Sequence, residues 1–408
     1  MTDVIIIGAG AAGLLCAGFA AKNGKRVMLL EKMERPARKL MITGKGRCNV
    51  TNNCDKDGLL AAVRTSGKFL YSAFSAFTPQ DFMRLLQDEL GVPLKTERGG
   101  RVFPQSDKAM DIVDALVRFA RQSGAVVKTG VCCEQLMITD GRIAGVQTDS
   151  GDFYAGSVVV ATGGKSYPLT GSTGDGYRLA EQVGHTVTTL RPSLIPIVIK
   201  EGYCRDLTGL SLRNCTLSLI KKDRAKPMFS EQGELLFTHF GVSGPLVLSA
   251  SAHMDGEISD YTLSVDLKPA LDIHRLDARI LRDFEANLNK DFQNSLSGLL
   301  PRKLIPVIVR LSGIPGDVKV NSITKEQRLG LARRLKSLAL TPEGFHPIEE
   351  AVITSGGVDV KEISPKTMES KLVPGLFFAG EVIDADAYTG GFNLQIAFST
   401  AYLAAQNV

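Results

Sequence analysis

The sequence predicts an α/β fold in which a domain built on a parallel sheet is interrupted by an insertion, and three observations carry that prediction. Asp3 to Ile7 is an apolar strand that runs directly into Gly8, Gly10 and Gly13 and then into the apolar helix Leu14 to Lys22. Near the other end, Leu376 to Ala379 is a second short apolar strand, followed by glycines and an apolar helix from Ile396 to Leu403. Between the two, the pattern changes to short alternating runs, then to helical spacing, before elements of the first kind return.

The amino-terminal unit is justified residue by residue. Gly8 permits a tight turn, Gly10 lets backbone N–H groups approach a pyrophosphate with no Cβ in the way, and Gly13 lets the helix pack close to the strand. Ala11 and Ala12 then place the first amides of the helix toward the phosphates. A second strand, Arg26 to Leu30, ends in Glu31, roughly 20 positions after the glycines, where a carboxylate hydrogen-bonds a ribose 2′-OH and repels a 2′-phosphate. A lone GxGxxG is a weak signal, since small residues gather in many strand–helix turns. Strand, glycines, helix, strand and acid in this order make a Rossmann-type dinucleotide site.

FAD and NAD share that fingerprint, and the carboxyl end separates them. The strand at Leu376 to Ala379 leads into Gly380-Glu381 and Asp384, then Gly391-Phe392-Asn393-Leu394-Gln395 at the start of the last helix. An acid after such a strand suits the ribityl or pyrophosphate region. The following helix aims positive dipole at the flavin edge where negative charge develops on reduction. A simple NAD dehydrogenase has no need of a second ligand segment so far away, so the reading is FAD. Val158 to Gly164 is a further strand whose small end, Ala161-Thr162-Gly163, suits a close approach to the cofactor. Lys32, Lys39 and Val131 complete the expected contacts of this domain.

The domain is thus expected at 1–190 and 345–408, with an insertion at 191–344. The insertion reads as β-rich to about 270, with runs such as Thr216 to Ile220 and Tyr261 to Val265, and as helical from about 271. The 408 residues have ordinary globular composition, 44% hydrophobic and 22% charged. The formal charge of +5 is compatible with an anionic cofactor, substrate or nucleic acid and proves none of them. Seven cysteines without a zinc-like CxxC pair argue against a secreted disulfide framework and for a reducing cytoplasm. No apolar run is long enough for a membrane span and no signal peptide is read.

Four stretches carry a resemblance to a known family. They are Lys39-Leu40-Met41-Ile42-Thr43-Gly44-Lys45-Gly46-Arg47-Cys48-Asn49-Val50-Thr51-Asn52, then Gly100-Arg101-Val102-Phe103-Pro104, then Phe237-Thr238-His239-Phe240-Gly241-Val242-Ser243-Gly244-Pro245, and last Thr354-Ser355-Gly356-Gly357-Val358 with the Gly380 to Gln395 segment. Over essentially its whole length the chain resembles the BaiN/YhiN-like flavoproteins, some of which are described as aminoacetone oxidases. The resemblance implies a glutathione-reductase-like FAD domain split by an insertion with a β-barrel-like part and a small helical part. It also implies that the loop Gly44-Lys45-Gly46-Arg47-Cys48-Asn49 lies against the flavin.

In that loop Thr43 and Asn49 are candidates to hydrogen-bond the pyrimidine edge, and Lys45 or Arg47 to stabilise an anionic reduced ring. The plainer alternative is a solvated basic loop. It is not a P-loop, lacking that spacing. Cys48 and Cys54 are separated by five residues, not the four of a redox-active helix pair, so Cys48 reads as packed and inert. His239, between Thr238 and Phe240, is a candidate proton donor to a substrate, although a histidine beside aromatics is as often a satisfied structural group. Tyr388 and Tyr167 are weaker acid candidates. No cluster has the spacing of metal ligands.

Three functions follow from these residues and the resemblance. In the first, NAD(P)H reduces FAD and hydride passes to an activated C=C bond, as in the reductions of unsaturated steroid-type keto acids and of uracil in ribosomal RNA to which family members are linked. The second is an amine oxidase using O2, for which the sequence shows no aromatic cage, Trp being absent. The third is an RNA-binding protein with non-catalytic FAD, in which Arg302-Lys303 and Arg333-Arg334-Leu335-Lys336 contact phosphates, though these charges are more simply a solvated helix face. No second GxGxxG marks where NAD(P)H binds.

Overall fold

The structure is a computed structural model and describes residues 2–408. Its contacts divide the chain into two compact units. The first runs to Ser193 and resumes at Pro347, and the second is Leu194–His346.

The first unit is organised on five parallel strands, β1 (Val4–Ile7), β2 (Val27–Glu31), β3 (Val126–Thr129), β4 (Ser157–Val160) and β5 (Leu376–Phe378). Their spatial order is β5-β4-β1-β2-β3, with Val4 in register with Val27 on one side and Ser157 on the other. A parallel sheet is covered on both faces, and so its central strands are apolar at every position. Ile5, Ile6 and Val158 to Val160 are wholly buried. Three helices cover it: α1 (Ala11–Lys22), α2 (Ala109–Gln122) and α3 (Phe392–Ala405). Gly18 of α1 lets Phe119 of α2 come so close that a Cβ would lie 2.2 Å from its ring. Phe19 of α1 meets Tyr402 of α3 edge to face at 4.8 Å, so the last helix of the chain is packed on the first.

Arg191–Ser193 pairs with Ile353–Ser355, which keeps these three residues with the first unit, beyond the expected limit at 190. The second unit carries a seven-stranded antiparallel sheet. Its spatial order is Leu338–Leu340, Tyr261–Asp266, Ser211–Lys221, Phe229–Phe237, Gly241–Ser243, Ile197–Ile199, Pro342–Phe345. The strands at the two ends of that order are joined through the single residue Thr341, so the sheet is rolled back on itself as a barrel-like wall. Helices follow at Ile273–Glu285, Ile305–Ser312 and Lys325–Lys336. The helical part was expected to continue to 344. Instead residues 338–345 return to the sheet, because Leu338 and Leu340 are buried on its inner side across from Val265 and Leu263. No helix among the described residues is long and apolar enough to cross a membrane.

Candidate functional site

The three glycines after β1 meet different surroundings. Gly8 has φ +97°, and a Cβ there would lie 2.7 Å from the Ala161 carbonyl oxygen at the end of β4. At Gly13 a Cβ would lie 1.8 Å from the Gly8 carbonyl oxygen, so any larger residue would force α1 off the strand. Gly10 is the N-cap of α1, has no side-chain cap, and its missing Cβ would meet no atom within 4 Å. The first intrahelical bond is Leu14 N–H to the Gly10 carbonyl, 3.0 Å, which leaves the amides of Ala11, Ala12 and Gly13 as the open donors of a helix N-terminus.

Glu31 closes that turn from the end of β2. Its Oε2 accepts from the Ala9 amide at 2.8 Å and its Oε1 from the Met33 amide at 2.9 Å. Burial pushes its pKa up, outweighing the two amides that favour the carboxylate. Val131 is buried beside it and donates its amide to the Glu31 carbonyl at 3.0 Å. Lys32 is turned to Asp175 at 2.6 Å, which neutralises its charge.

The carboxyl-terminal segment reaches this turn. Gly380, φ +78°, sits where a Cβ would be 2.9 Å from the Cβ of Ala12, and its amide donates to Thr400 Oγ1 of α3 at 3.0 Å. Glu381 accepts from Lys39 Nζ at 2.7 Å, an ion pair joining residues 342 positions apart. Burial raises the pKa of Asp384, and its carboxylate is hydrogen-bonded to Thr188. Gly391, φ +96°, heads α3 with no side-chain cap, and a Cβ there would lie 2.3 Å from the Thr51 carbonyl oxygen.

Within the loop after Lys39 the candidate groups divide. Thr43 Oγ1 donates to the Leu40 carbonyl at 2.7 Å. Arg47 lies over the Phe103 ring at 4.1 Å and is ion-paired with Glu97 and Asp107, so its charge is already met. Lys45 is exposed at φ +61° between Gly44 (+57°) and Gly46 (+82°), and its ammonium has no partner among the described residues. Asn49 Oδ1 is buried without a hydrogen-bond partner, as is Thr162 Oγ1 at the end of β4. Cys48 is fully buried, a free thiol whose pKa burial pushes up to about 12. Gly163 continues that strand end at φ +75°.

Two expected cofactor contacts are directed elsewhere. Asn393 closes its amide on the chain just before it, accepting from Ala387 N at 2.8 Å and donating to the Ala387 carbonyl at 2.8 Å. Gln395 is wholly buried, accepts from Thr51 Oγ1 at 2.6 Å and donates to the Phe77 carbonyl and Ser399. Phe392 packs against Gly390, and Leu394 is half-buried beside it.

Tyr388, three residues before Gly391, accepts at its hydroxyl from Arg64 Nη1 at 3.3 Å, with the guanidinium also near the ring. Asp386 is buried below, within 3.3 Å of both Ser193 Oγ and Ser355 Oγ, and burial raises its pKa. Neither Arg64 nor Asp386 was singled out from the sequence. Asp386 is visible as the second acid of Asp384-Ala385-Asp386, whereas nothing local marks Arg64. His239 belongs to the second unit, exposed at the turn between Phe229–Phe237 and Gly241–Ser243, its ring edge-on to Phe240 at 5.0 Å. Tyr167 is half-buried in the first unit, at φ +55°.

The residues fit an anionic dinucleotide. Two glycine-headed helices present uncapped N-termini, the space over Gly10 is open, and Asn49 and Thr162 each keep a buried oxygen without a partner. Gly8 to Gly13, Glu31 and Val131 would hold the adenosine and pyrophosphate end. Asn49, Lys45 and the start of α3 would hold the flavin end.

This fold and this site define an FAD-binding flavoenzyme of the oxidoreductase class. The family described as HI0933-like protein Rossmann domain matches residues 2–407, and the chain belongs to it. It is 34% identical to the ribosomal RNA dihydrouridine synthase of Escherichia coli over 100% of this chain and 98% of that protein. It is 30% identical to the 3-dehydro-bile acid delta(4,6)-reductase of Clostridium scindens over 99% of this chain and 98% of that one. Among solved structures, the 3-ketosteroid-delta4-(5alpha)-dehydrogenase of Rhodococcus jostii RHA1 is similar with a TM-score of 0.53 at 15% identity, covering 99% of this chain and 96% of that one, a likeness of fold.

Proposed function

We propose that the chain is an NAD(P)H-dependent ene reductase that saturates a C=C bond conjugated to a carbonyl, in an enone or an enamide. The observation that carries this reading is that two relatives aligned along nearly their whole length have names with different substrates and one bond change. Making dihydrouridine from uridine and reducing a delta(4,6) keto-steroid both add hydrogen across a double bond activated by a carbonyl. FAD, when bound, supplies the hydride for such a step.

The chain's own residues supply the rest. The amides at the start of α3 and the Lys45 ammonium favour negative charge at the flavin end. The substrate needs a proton at the carbon next to its carbonyl. Tyr388 is the first-unit group suited to hold it: Arg64 donates to the phenol oxygen at 3.3 Å, and a positive donor there favours loss of the phenol proton to a substrate. His239 is the second candidate and lies in the other unit.

Anaerobic mixing of the yellow protein with NADH or NADPH is expected to bleach the visible flavin band, and addition of a uridine-containing RNA or a Δ4-3-ketosteroid to restore it. Tyr388→Phe is expected to slow the second step about 100-fold or more while leaving bleaching unchanged. If His239→Ala does this and Tyr388→Phe does not, the proton comes from the histidine. Bleaching by aminoacetone, with peroxide formed in air and no response to NAD(P)H, would replace the reductase with an oxidase.

A further inference from the structure

The chain that follows the Lys45 loop ends against the head of α3. Thr51–Asn52 is a two-residue strand paired antiparallel with Arg101–Pro104, which pairs in turn with Leu94–Glu97. Both residues of the short strand are buried, and both reach the last helix. Thr51 Oγ1 donates to Gln395 Oε1 at 2.6 Å, and the Thr51 carbonyl oxygen occupies the place where a Cβ at Gly391 would need to be. Asn52 Nδ2 donates to the Gly99 carbonyl at 2.9 Å and to the Gly390 carbonyl at 3.1 Å. A side-chain amide has two hydrogens, so both are used on the protein itself. On the other side of Asn52 the Gly99-Gly100 turn closes over the amide: a Cβ at Gly100, φ +72°, would lie 2.4 Å from Asn52 Oδ1, and the Gly100 carbonyl accepts from the Asn53 amide at 2.6 Å.

The pair of glycines ahead of α3 needs such a hold. Gly390 has φ +132° and Gly391 φ +96°, conformations that only glycine adopts readily and that glycine also leaves readily. The helix has no side-chain cap, so its first amides point wherever the two glycines aim them. The field of a helix end is felt within about its first turn, and donors act most strongly on a developing charge when they are already in place. Asn52 fixes one end of that turn through the Gly390 carbonyl and takes its own position from the Gly99 carbonyl.

We infer that Asn52 is a positioning residue for the redox step: it holds the Gly390-Gly391 turn so that the amides at the head of α3 face the negative charge that develops on the flavin as it is reduced. The inference rests on the FAD reading of this site and deepens it. Asn49 and Lys45 lie on the loop that enters the same short strand, so one strand sets both parts of the flavin end.

The test is the two-electron midpoint potential of the FAD-loaded protein, read by slow anaerobic reduction in equilibrium with a reference dye. Asn52→Ala is expected to weaken the preference for reduced over oxidised FAD about tenfold, which is a midpoint about 30 mV lower. Asn52→Ser is too short to reach both carbonyls and is expected to shift the potential the same way; it keeps a polar group in the buried space, so the question is still decided should the alanine variant fail to fold. Asp55→Ala removes the N-cap of the neighbouring helix Lys56–Ala62, where the carboxylate accepts from the Gly58 amide at 2.8 Å, and is expected to lower thermal stability and leave the potential unchanged. The proposal is overturned if the Asn52 variants keep the wild-type potential, or if Asp55→Ala shifts it as far as they do. The potential is read without NAD(P)H or substrate. A shift in a protein that reduces no enone or uridine would therefore remove the ene-reductase reading and leave Asn52 its role, and enone reduction with no shift would do the reverse.

Discussion

Gly10→Ala separates what the protein needs from what the dinucleotide needs. Gly10 has φ −79° and ψ −166°, an extended conformation open to alanine, and the added methyl would meet no protein atom within 4 Å. The apoprotein therefore loses only the N-cap preference for glycine over alanine, under about 1 kcal/mol. In the proposed site the same open space is where a pyrophosphate would cross the start of α1. A methyl there holds the phosphate oxygens away from the Ala11 and Ala12 amides, and two charge-assisted hydrogen bonds at about 1.5–3 kcal/mol each are at stake. At 1.4 kcal/mol per tenfold, their loss corresponds to about a 100-fold to 10,000-fold weaker FAD. Titration of apoprotein with FAD, followed by quenching of flavin fluorescence, measures the affinity, and thermal unfolding of the apoprotein measures the stability. An FAD affinity within threefold of wild type would refute the reasoning. Gly13→Ala is the contrasting case, since its methyl would lie 1.8 Å from a backbone oxygen and must destabilise the apoprotein itself.

Three further outcomes follow from other groups. His185 is buried, with Nδ1 3.0 Å from Glu362 Oε2 and Nε2 2.7 Å from Ser370 Oγ, and desolvation lowers its pKa despite the glutamate. The unfolded chain takes up a proton below about pH 6.5 that the folded chain does not, so this group's stabilisation is present above that pH and is lost as pH falls. Urea unfolding is expected to give a stability that falls by up to about 1.4 kcal/mol per pH unit more steeply between pH 6.5 and 5 in wild type than in His185→Gln; equal slopes would contradict this. Cys48, with its thiol pushed up to about 12, is expected to resist iodoacetamide at pH 8 in the folded protein, and Cys54→Ala to keep turnover within about twofold. Rapid labelling of Cys48, or loss of activity in Cys54→Ala, would reopen a dithiol role.

The glycine turn and its acid were legible because local geometry fixes each role: a turn, an open approach, a close contact and a carboxylate at the end of the next strand. The joining of the two chain ends was legible from Gly380-Glu381 and the apolar helix after it. Direction within that helix was not. Gln395 is one turn in from Gly391, and a step of 3.6 residues per turn sends its amide to Thr51, Phe77 and Ser399 in the core. Arg47 read as a flavin-facing cation, yet Glu97 and Asp107, 50 and 60 residues further along, compete for it. Arg64 is brought to Tyr388 from 324 positions away, a pairing that no spacing rule contains. The late strands at 338–345 were hidden because three-residue and four-residue runs carry too little periodicity to stand out after a helix.

Hydrogen exchange of the apoprotein with and without FAD tests the central claim most directly, namely that the amino-terminal turn and the head of α3 grip one flavin dinucleotide. Peptides covering residues 8–13 and 390–394 are expected to gain protection together, in proportion to FAD bound. Protection at 8–13 with none at 390–394, even at saturating FAD, would contradict the account.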